Sequence, residues 1–176
     1  PVSIRWVGKS GGGWLTSLLQ MNRANTVAEL HEAMRPWHVP TFCVVSGDSN
    51  GNIGLKATGK IPRRNSYHRS YRDGSAPHHQ WQGYIPFDEM PELINPECNW
   101  IRTANNRTAA NDYPHMLSGC WSSGHRAGRI REILESHQGT FALDDFVQMQ
   151  NDVISGRAQE CTPKLLKALS SESDPD

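Results

Sequence analysis

Thr41-Phe-Cys-Val-Val-Ser-Gly-Asp-Ser-Asn-Gly-Asn-Ile-Gly-Leu-Lys-Ala-Thr58 decides the fold class of this chain. Thr41 to Ser46 is a run of β-branched and aromatic residues, which suits a pleated, half-buried strand. Asp48 to Gly51 is a turn, because Asn and Gly tolerate positive φ. Asn52 to Thr58 returns as a second strand, and the two predict an antiparallel hairpin. Gly59-Lys-Ile-Pro-Arg63 then leaves the sheet, since Pro62 has no N–H to give a ladder.

Upstream, Val2 to Val7 alternates and predicts a strand that ends at Gly8. Gly11-Gly-Gly13 reads as a flexible connection. Thr26-Val-Ala-Glu29 is a capping-box pattern, with Thr26 as N-cap and Glu29 three residues on. Val27, Leu30, His31 and Met34 follow at helical spacing, and Pro36 stops that helix. Downstream, residues 63–80 are polar and irregular, with Arg63, Arg64, His68, Arg69, Arg72, His78 and His79. Trp81 to Phe87 is aromatic, and its Trp81, Tyr84 and Phe87 read as core packing. A short turn spans Asp88 to Leu93. Asn99 to Ala104 predicts a strand running into Asn105 and Asn106. Helices are expected over Arg126–Ser136, with Ile130, Ile133 and Leu134 on one face, and over Leu143–Ile154. A third runs from Pro163, a favoured first helical residue, to Leu169. The polar stretch 170–176 reads as a frayed tail. Strands first and helices last make the fold class α+β.

The chain has 176 residues, a length that suits one domain. Its 18 basic and 18 acidic residues cancel, so no general pull draws it to nucleic acid or to a membrane surface. Hydrophobic residues make up 36%. That is thin for a self-sufficient core, so the chain is loop-rich or buries an apolar face against other chain. No run approaches the ~20 apolar residues of a membrane span. The stretch after Pro1 has no export-signal pattern, and Pro1 in place of an initiator methionine suggests processing or an artificial boundary. Cys43, Cys98, Cys120 and Cys161 fit no zinc spacing; they read as free thiols, with disulfide pairing left open. The basic stretch 63–79, with Tyr67 and Tyr71 interleaved, reads as a solvated loop rather than a stacking platform. His78-His79 lacks a third ligand, and His31 reads as a packed helix-face residue.

The chemistry gathers at Trp100-Ile-Arg-Thr-Ala-Asn-Asn-Arg107 and His125-Arg-Ala-Gly-Arg-Ile130. Side-chain amides at a strand end are well suited to donate to a reacting carbonyl. No nucleophile motif accompanies them, so the chain reads as part of a catalytic machine.

Three stretches then line up in order: Asp48-Ser-Asn-Gly-Asn-Ile-Gly through Pro62-Arg63, Trp81-Gln-Gly-Tyr-Ile-Pro-Phe87 with Pro91 and Asn95-Pro96, and Ile101-Arg-Thr-Ala-Asn-Asn-Arg107 with Tyr113-Pro114 and Arg126 to Leu134. From about Ile4 to Leu169 the chain closely resembles the penicillin amidase (penicillin acylase) family of N-terminal-nucleophile hydrolases. The resemblance implies a portion of a four-layer αββα fold, antiparallel strands followed by helices. Residues 1–169 would be a central segment of the family's β subunit, with 170–176 a disordered tail. It also implies cleavage of an acyl amide by the N-terminal serine of that subunit, whose own α-amino group acts as base. Asn105 matches the family's oxyanion-hole asparagine. Arg126 matches an arginine that orients that asparagine and favours the neutral amine. Asn106 would support the strand end.

The chain also departs from the family pattern. Residue 1 is Pro, and the family's Ser-Asn-x-Trp start is absent. In Ser10-Gly-Gly-Gly-Trp14 the tryptophan falls one residue late. Ala142 stands where an N-cap Thr or Ser is usual. The family's calcium ligands lie mostly outside this span. No cofactor or metal is therefore expected in this chain, while calcium remains possible in the complete fold. The expected partners are the remaining segments or subunits of the amidase and an acyl-amide substrate, with no nucleic acid and no membrane. Family members are often exported, so a periplasmic or secreted location is expected, its signal lying upstream. The chain alone is expected to be inactive. The competing reading is a non-catalytic fragment or degenerate homologue that binds or scaffolds.

Overall fold

The computed structural model describes residues 1–65, 70–117, 119 and 121–172. The elements are α1 (Trp14–Met21), α2 (Val27–Ala33), β1 (Phe42–Gly47), β2 (Ile53–Thr58), β3 (Glu92–Ile94), α3 (His125–Ser136), α4 (Leu143–Gln150) and α5 (Gly156–Glu172). This is an α+β chain, as the hairpin and helices led one to expect. It divides into two compact units: Pro1–Thr103 with Arg107–Cys120, and Ala104–Asn106 with Trp121–Asp176.

The first unit is built on the hairpin. β1 and β2 pair antiparallel from Phe42↔Thr58 to Gly47↔Ile53. β3 adds on the other side, with Leu55↔Leu93 and Lys56↔Glu92. The turn is organised by Asp48. Its carboxylate accepts from Asn50 N and Asn52 N, both at 3.0 Å, and from the Asn52 side-chain amide. It also accepts from Val27 N at 3.2 Å, which ties the hairpin to the first turn of α2. Thr26 caps α2 as expected, its Oγ1 accepting from Glu29 N at 3.1 Å. The Glu29 carboxylate reaches one residue further back than a standard capping box and accepts from Asn25 N.

The Asn52 amide, and then the backbone N–H groups of Asn52, Val27 and Asn50, hold the Asp48 carboxyl below its usual value. A lowered native pKa means that the unfolded chain takes up this proton first as pH falls. The stabilisation is therefore complete above the unfolded value of about 3.9 and is lost as pH drops through the native one. The Asp48→Ala variant should start less stable and lose less on acidification between about pH 5 and pH 2. Thermal unfolding across that range checks it, and equal acid slopes would contradict it.

α2 lies close over the sheet because Gly54 has no side chain. A Cβ there would sit 2.6 Å from Val27 Cγ1 and 2.9 Å from the His31 ring. His31 is buried, in keeping with a packed role. Its Nδ1 lies 2.8 Å from Glu92 Oε1, and its Nε2 lies 3.4 Å from Ser46 Oγ. Lys56, only 3% exposed, is 3.6 Å from the same Glu92 carboxylate and lies over the Phe87 ring. Ala57, Ile85 and Met90 form a small core, joined by Cys43, Ile61 and Leu117.

Several expectations fail in this unit, each for a physical reason. Val2 to Val7 forms no strand. Val2, Ile4 and Trp6 are exposed, and alternation without a pairing partner cannot satisfy a strand backbone. A 3₁₀ turn occupies Val7–Ser10 instead. α1 was not anticipated, although Leu15, Leu18 and Leu19 are helically spaced, and with α2 it puts helices ahead of the strands. The expected turn over Asp88–Leu93 becomes a 3₁₀ turn followed by β3. Trp81, Tyr84 and Phe87 are only partly buried, and the core uses Ile85 and Met90. The aromatic rings carry cations instead: Arg5 over Trp81 at 4.5 Å, Lys60 over Tyr84 at 5.3 Å and Arg35 over Phe87 at 4.6 Å. Pro62 does bridge to Tyr84, but the hydrogen bonds come from Ile85 N and Arg63 N on either side. Tyr67, His68 and Arg69 of the basic loop lie outside the described residues.

The second unit is helical. α3 forms over nearly the expected span; Arg129 pairs within it with Glu132 (2.9 Å) and links it to Asp152 (2.5 Å). Ala142 gives α4 no side-chain cap, and Asp145 accepts from Ala142 N at 2.7 Å. α4 ends at Gln150 rather than Ile154, where the Asn151 side chain turns back onto Val147 O. The third helix does not begin at Pro163. α5 starts at Gly156 and carries Pro163 inside it. Ser155 Oγ, accepting from Ala158 N at 3.2 Å, caps its start. α5 continues through Ser170 to Glu172, and 173–176 lie outside the described residues.

Candidate functional site

Ala104–Asn106 and the start of α3 belong to the same unit. The strand expected over Asn99–Ala104 is not formed. Ala104 is buried, so its peptide groups need partners, and side chains supply them. Asn106 Oδ1 accepts from Ala104 N at 3.0 Å, and Arg126 Nη2 donates to Ala104 O at 3.0 Å. A backbone satisfied in this way has nothing to offer a ladder. Asn105 sits in the left-handed region at φ 59°, and its own carbonyl accepts from Ser122 N at 2.8 Å.

The two residues singled out from the sequence come together here. Arg126 Nη2 donates to Asn105 Oδ1 at 2.7 Å, with Ser122 Oγ a weaker third acceptor at 3.4 Å. A guanidinium only donates, so it fixes which end of the Asn105 amide faces it. Oδ1 turns to Arg126 and Nδ2 turns away. Among the described residues none accepts from Nδ2, and Asn105 is exposed. The first turn of α3 holds His125 and Arg126 and no acidic residue. Cations at a helix N-terminus oppose the helix dipole. Helix stability therefore does not account for Arg126, whereas its hold on Ala104 and Asn105 does. The arrangement presents two amide donors beside a fixed positive charge, which is chemistry suited to a developing oxyanion.

The other candidates are accounted for elsewhere. In the first unit a cleft of about 580 Å³ is lined by His31, Asp48, Lys56 and Glu92 among others, groups already paired with one another or with the hairpin. His79 Nδ1 lies 2.9 Å from Asp73 O. Among the described residues no group of three or more His, Cys, Asp or Glu is arranged to hold a metal. Cys43, Cys98 and Cys161 are free thiols, and Cys120 lies outside the described residues. No described helix is long and apolar enough to cross a membrane. Ser122 carries no local sequence signal, and for Asn106 the sequence pattern points only to a supporting part.

Comparison with known proteins gives a consistent picture. The penicillin amidase family profile matches residues 1–176. Penicillin acylase 2 proenzyme of Pseudomonas sp. strain SE83 is 36% identical over 139 residues, covering 78% of this chain and 18% of that protein. Acyl-homoserine lactone acylase QuiP of Pseudomonas syringae pv. tomato is 29% identical over 144 residues, covering 78% of this chain and 16% of that protein. A thermostable penicillin G acylase from Alcaligenes faecalis shares the fold with TM-score 0.64 at 21% identity, over 78% of this chain and 25% of that one. The chain thus spans less than a fifth of the length of these two curated relatives. It belongs to the penicillin amidase family.

Proposed function

We propose that this chain supplies the oxyanion-stabilising part of an acyl-amide hydrolase. Asn105 is the electrostatic stabiliser and Arg126 the cation that orients it. The observation that carries this reading is the 2.7 Å bond from Arg126 to Asn105 Oδ1, which leaves Nδ2 free to donate. In the complete protein an N-terminal serine hydroxyl attacks the carbonyl carbon, and its proton passes to the serine's own α-amine. The carbonyl π electrons move onto oxygen, and Asn105 Nδ2–H donates to the oxyanion formed. Collapse expels the amine, which takes the proton, and water then releases the carboxylic acid. The Arg126 charge would also favour the neutral amine needed as base.

The substrate class, an acyl group joined to an amine, follows the family resemblance and the relatives named for penicillin and for acyl-homoserine lactone. The partners we assign are the remaining segments of the amidase. Support comes from apolar side chains exposed in each unit, such as Ile4 at 88% and Val153 at 93%. The complete protein should release amine and acid from a penicillin or an acyl-homoserine lactone, while residues 1–176 alone should release neither. A folded complete protein that releases no amine from either compound would overturn the proposal in favour of a non-catalytic module.

A further inference from the structure

We infer that Asn106 is a positioning residue for the oxyanion donor: its side-chain carbonyl holds the Ala104 N–H and so sets the direction of the Asn105 amide. The inference rests on the reading of Asn105 above. A left-handed non-glycine residue is uncommon; Asn tolerates it better than most, but such a conformation persists only where its surroundings over-determine it. The surroundings here are specific. Arg126 takes Ala104 O and Asn105 Oδ1, and Ser122 N takes Asn105 O. That leaves the N–H of Ala104, a residue 7% exposed, and Asn106 Oδ1 meets it at 3.0 Å.

Without this acceptor a buried donor is left unsatisfied, which is costly. The chain can relieve it by relaxing Asn105 toward extended backbone, and that turns Nδ2 away from its present direction. Arg126 holds the Ala104 carbonyl and the Oδ1 end of the amide, but a guanidinium only donates and so cannot meet the Ala104 N–H. Asn106 therefore acts on the peptide before Asn105, and there is no strand end here for it to support.

The test uses the complete enzyme with active sites counted by the acyl-enzyme burst. Asn106→Ala should lower kcat about tenfold, roughly the 1.4 kcal/mol of one weakened donor, with KM within about twofold. If Asn106 acts only through Asn105, the double variant Asn105→Ala/Asn106→Ala is no slower than Asn105→Ala alone. A purely structural role would reduce the number of active sites, leave kcat per site unchanged, and overturn the inference. Losses that multiply in the double variant would overturn it too. If Asn106→Ala does not accumulate, Asn106→Asp, which retains the acceptor, carries the test. Its kcat should stay within about threefold of native, and a tenfold loss would contradict the inference. A native kcat in Asn105→Ala would instead overturn the oxyanion reading, so the two failures are distinguishable.

Discussion

Replacing Asn105 by alanine in the complete enzyme should lower kcat about 10²–10³-fold and leave KM near its native value. The size follows from what is removed. Nδ2 bonds to nothing among the described residues, so its donors are available to a charge that exists only after attack. An interaction made only in the transition state appears in kcat. The fold should be unaffected, because the Asn105 side chain is exposed and its backbone carbonyl is held by Ser122 N rather than by the amide. Alanine is strained at φ 59°, so Asn105→Gly is the companion variant. Glycine removes the donor while suiting the backbone, and it should lose kcat to the same extent. A native kcat in both variants would remove Asn105 from the chemistry.

Gly13→Ala is the second large effect, this time on stability. Gly13 has φ 76°, and a Cβ there would lie 2.1 Å from the Pro36 carbonyl oxygen. That neighbour is backbone and cannot swing aside. Left-handed strain of about 1–2 kcal/mol adds to overpacking of about 1–3 kcal/mol, so a loss of about 2–5 kcal/mol is expected. Gly12 is the internal control, since a Cβ there meets nothing within 4 Å. Gly12→Ala should be close to neutral. Urea unfolding of both variants checks this, and equal stabilities would show that α1 does not start against the residues after α2 as described.

These two positions mark how far the sequence can be read. The hairpin was legible because its turn signal is local: Asp48 binds groups no more than four residues away within the turn. The α2 start was legible for the same reason, since Thr26 meets Glu29. Gly13 looked like flexible linker because nothing local shows that Pro36 lies against it. The stretch 99–104 looked like a strand because alternation says which face could be buried. It does not say whether Asn106 and Arg126 will take the peptide groups first. Pro163 looked like a helix start because its missing N–H suits that position, whereas Ser155, the actual cap, sits before a glycine and gives a weaker signal. Trp81, Tyr84 and Phe87 looked like core because size was read without the cations that stack on them. At the candidate site the pairing of Asn105 with Arg126 came from the family resemblance. Residues 21 positions apart announce no contact on their own. The structure adds the side-chain bond itself and the parts played by Ser122 and Asn106.

The central claim is that this segment stabilises an oxyanion formed by a serine lying elsewhere in the complete protein. Its most direct measurement is the intact mass and N-terminal sequence of every polypeptide after brief reaction with an acyl amide and an acid quench. An acyl adduct is expected on the first residue of a Ser-initiated polypeptide that contains this segment, building up far more slowly in Asn105→Ala. An adduct on a residue within 1–176, or formation at the native rate without the Asn105 amide, would contradict it.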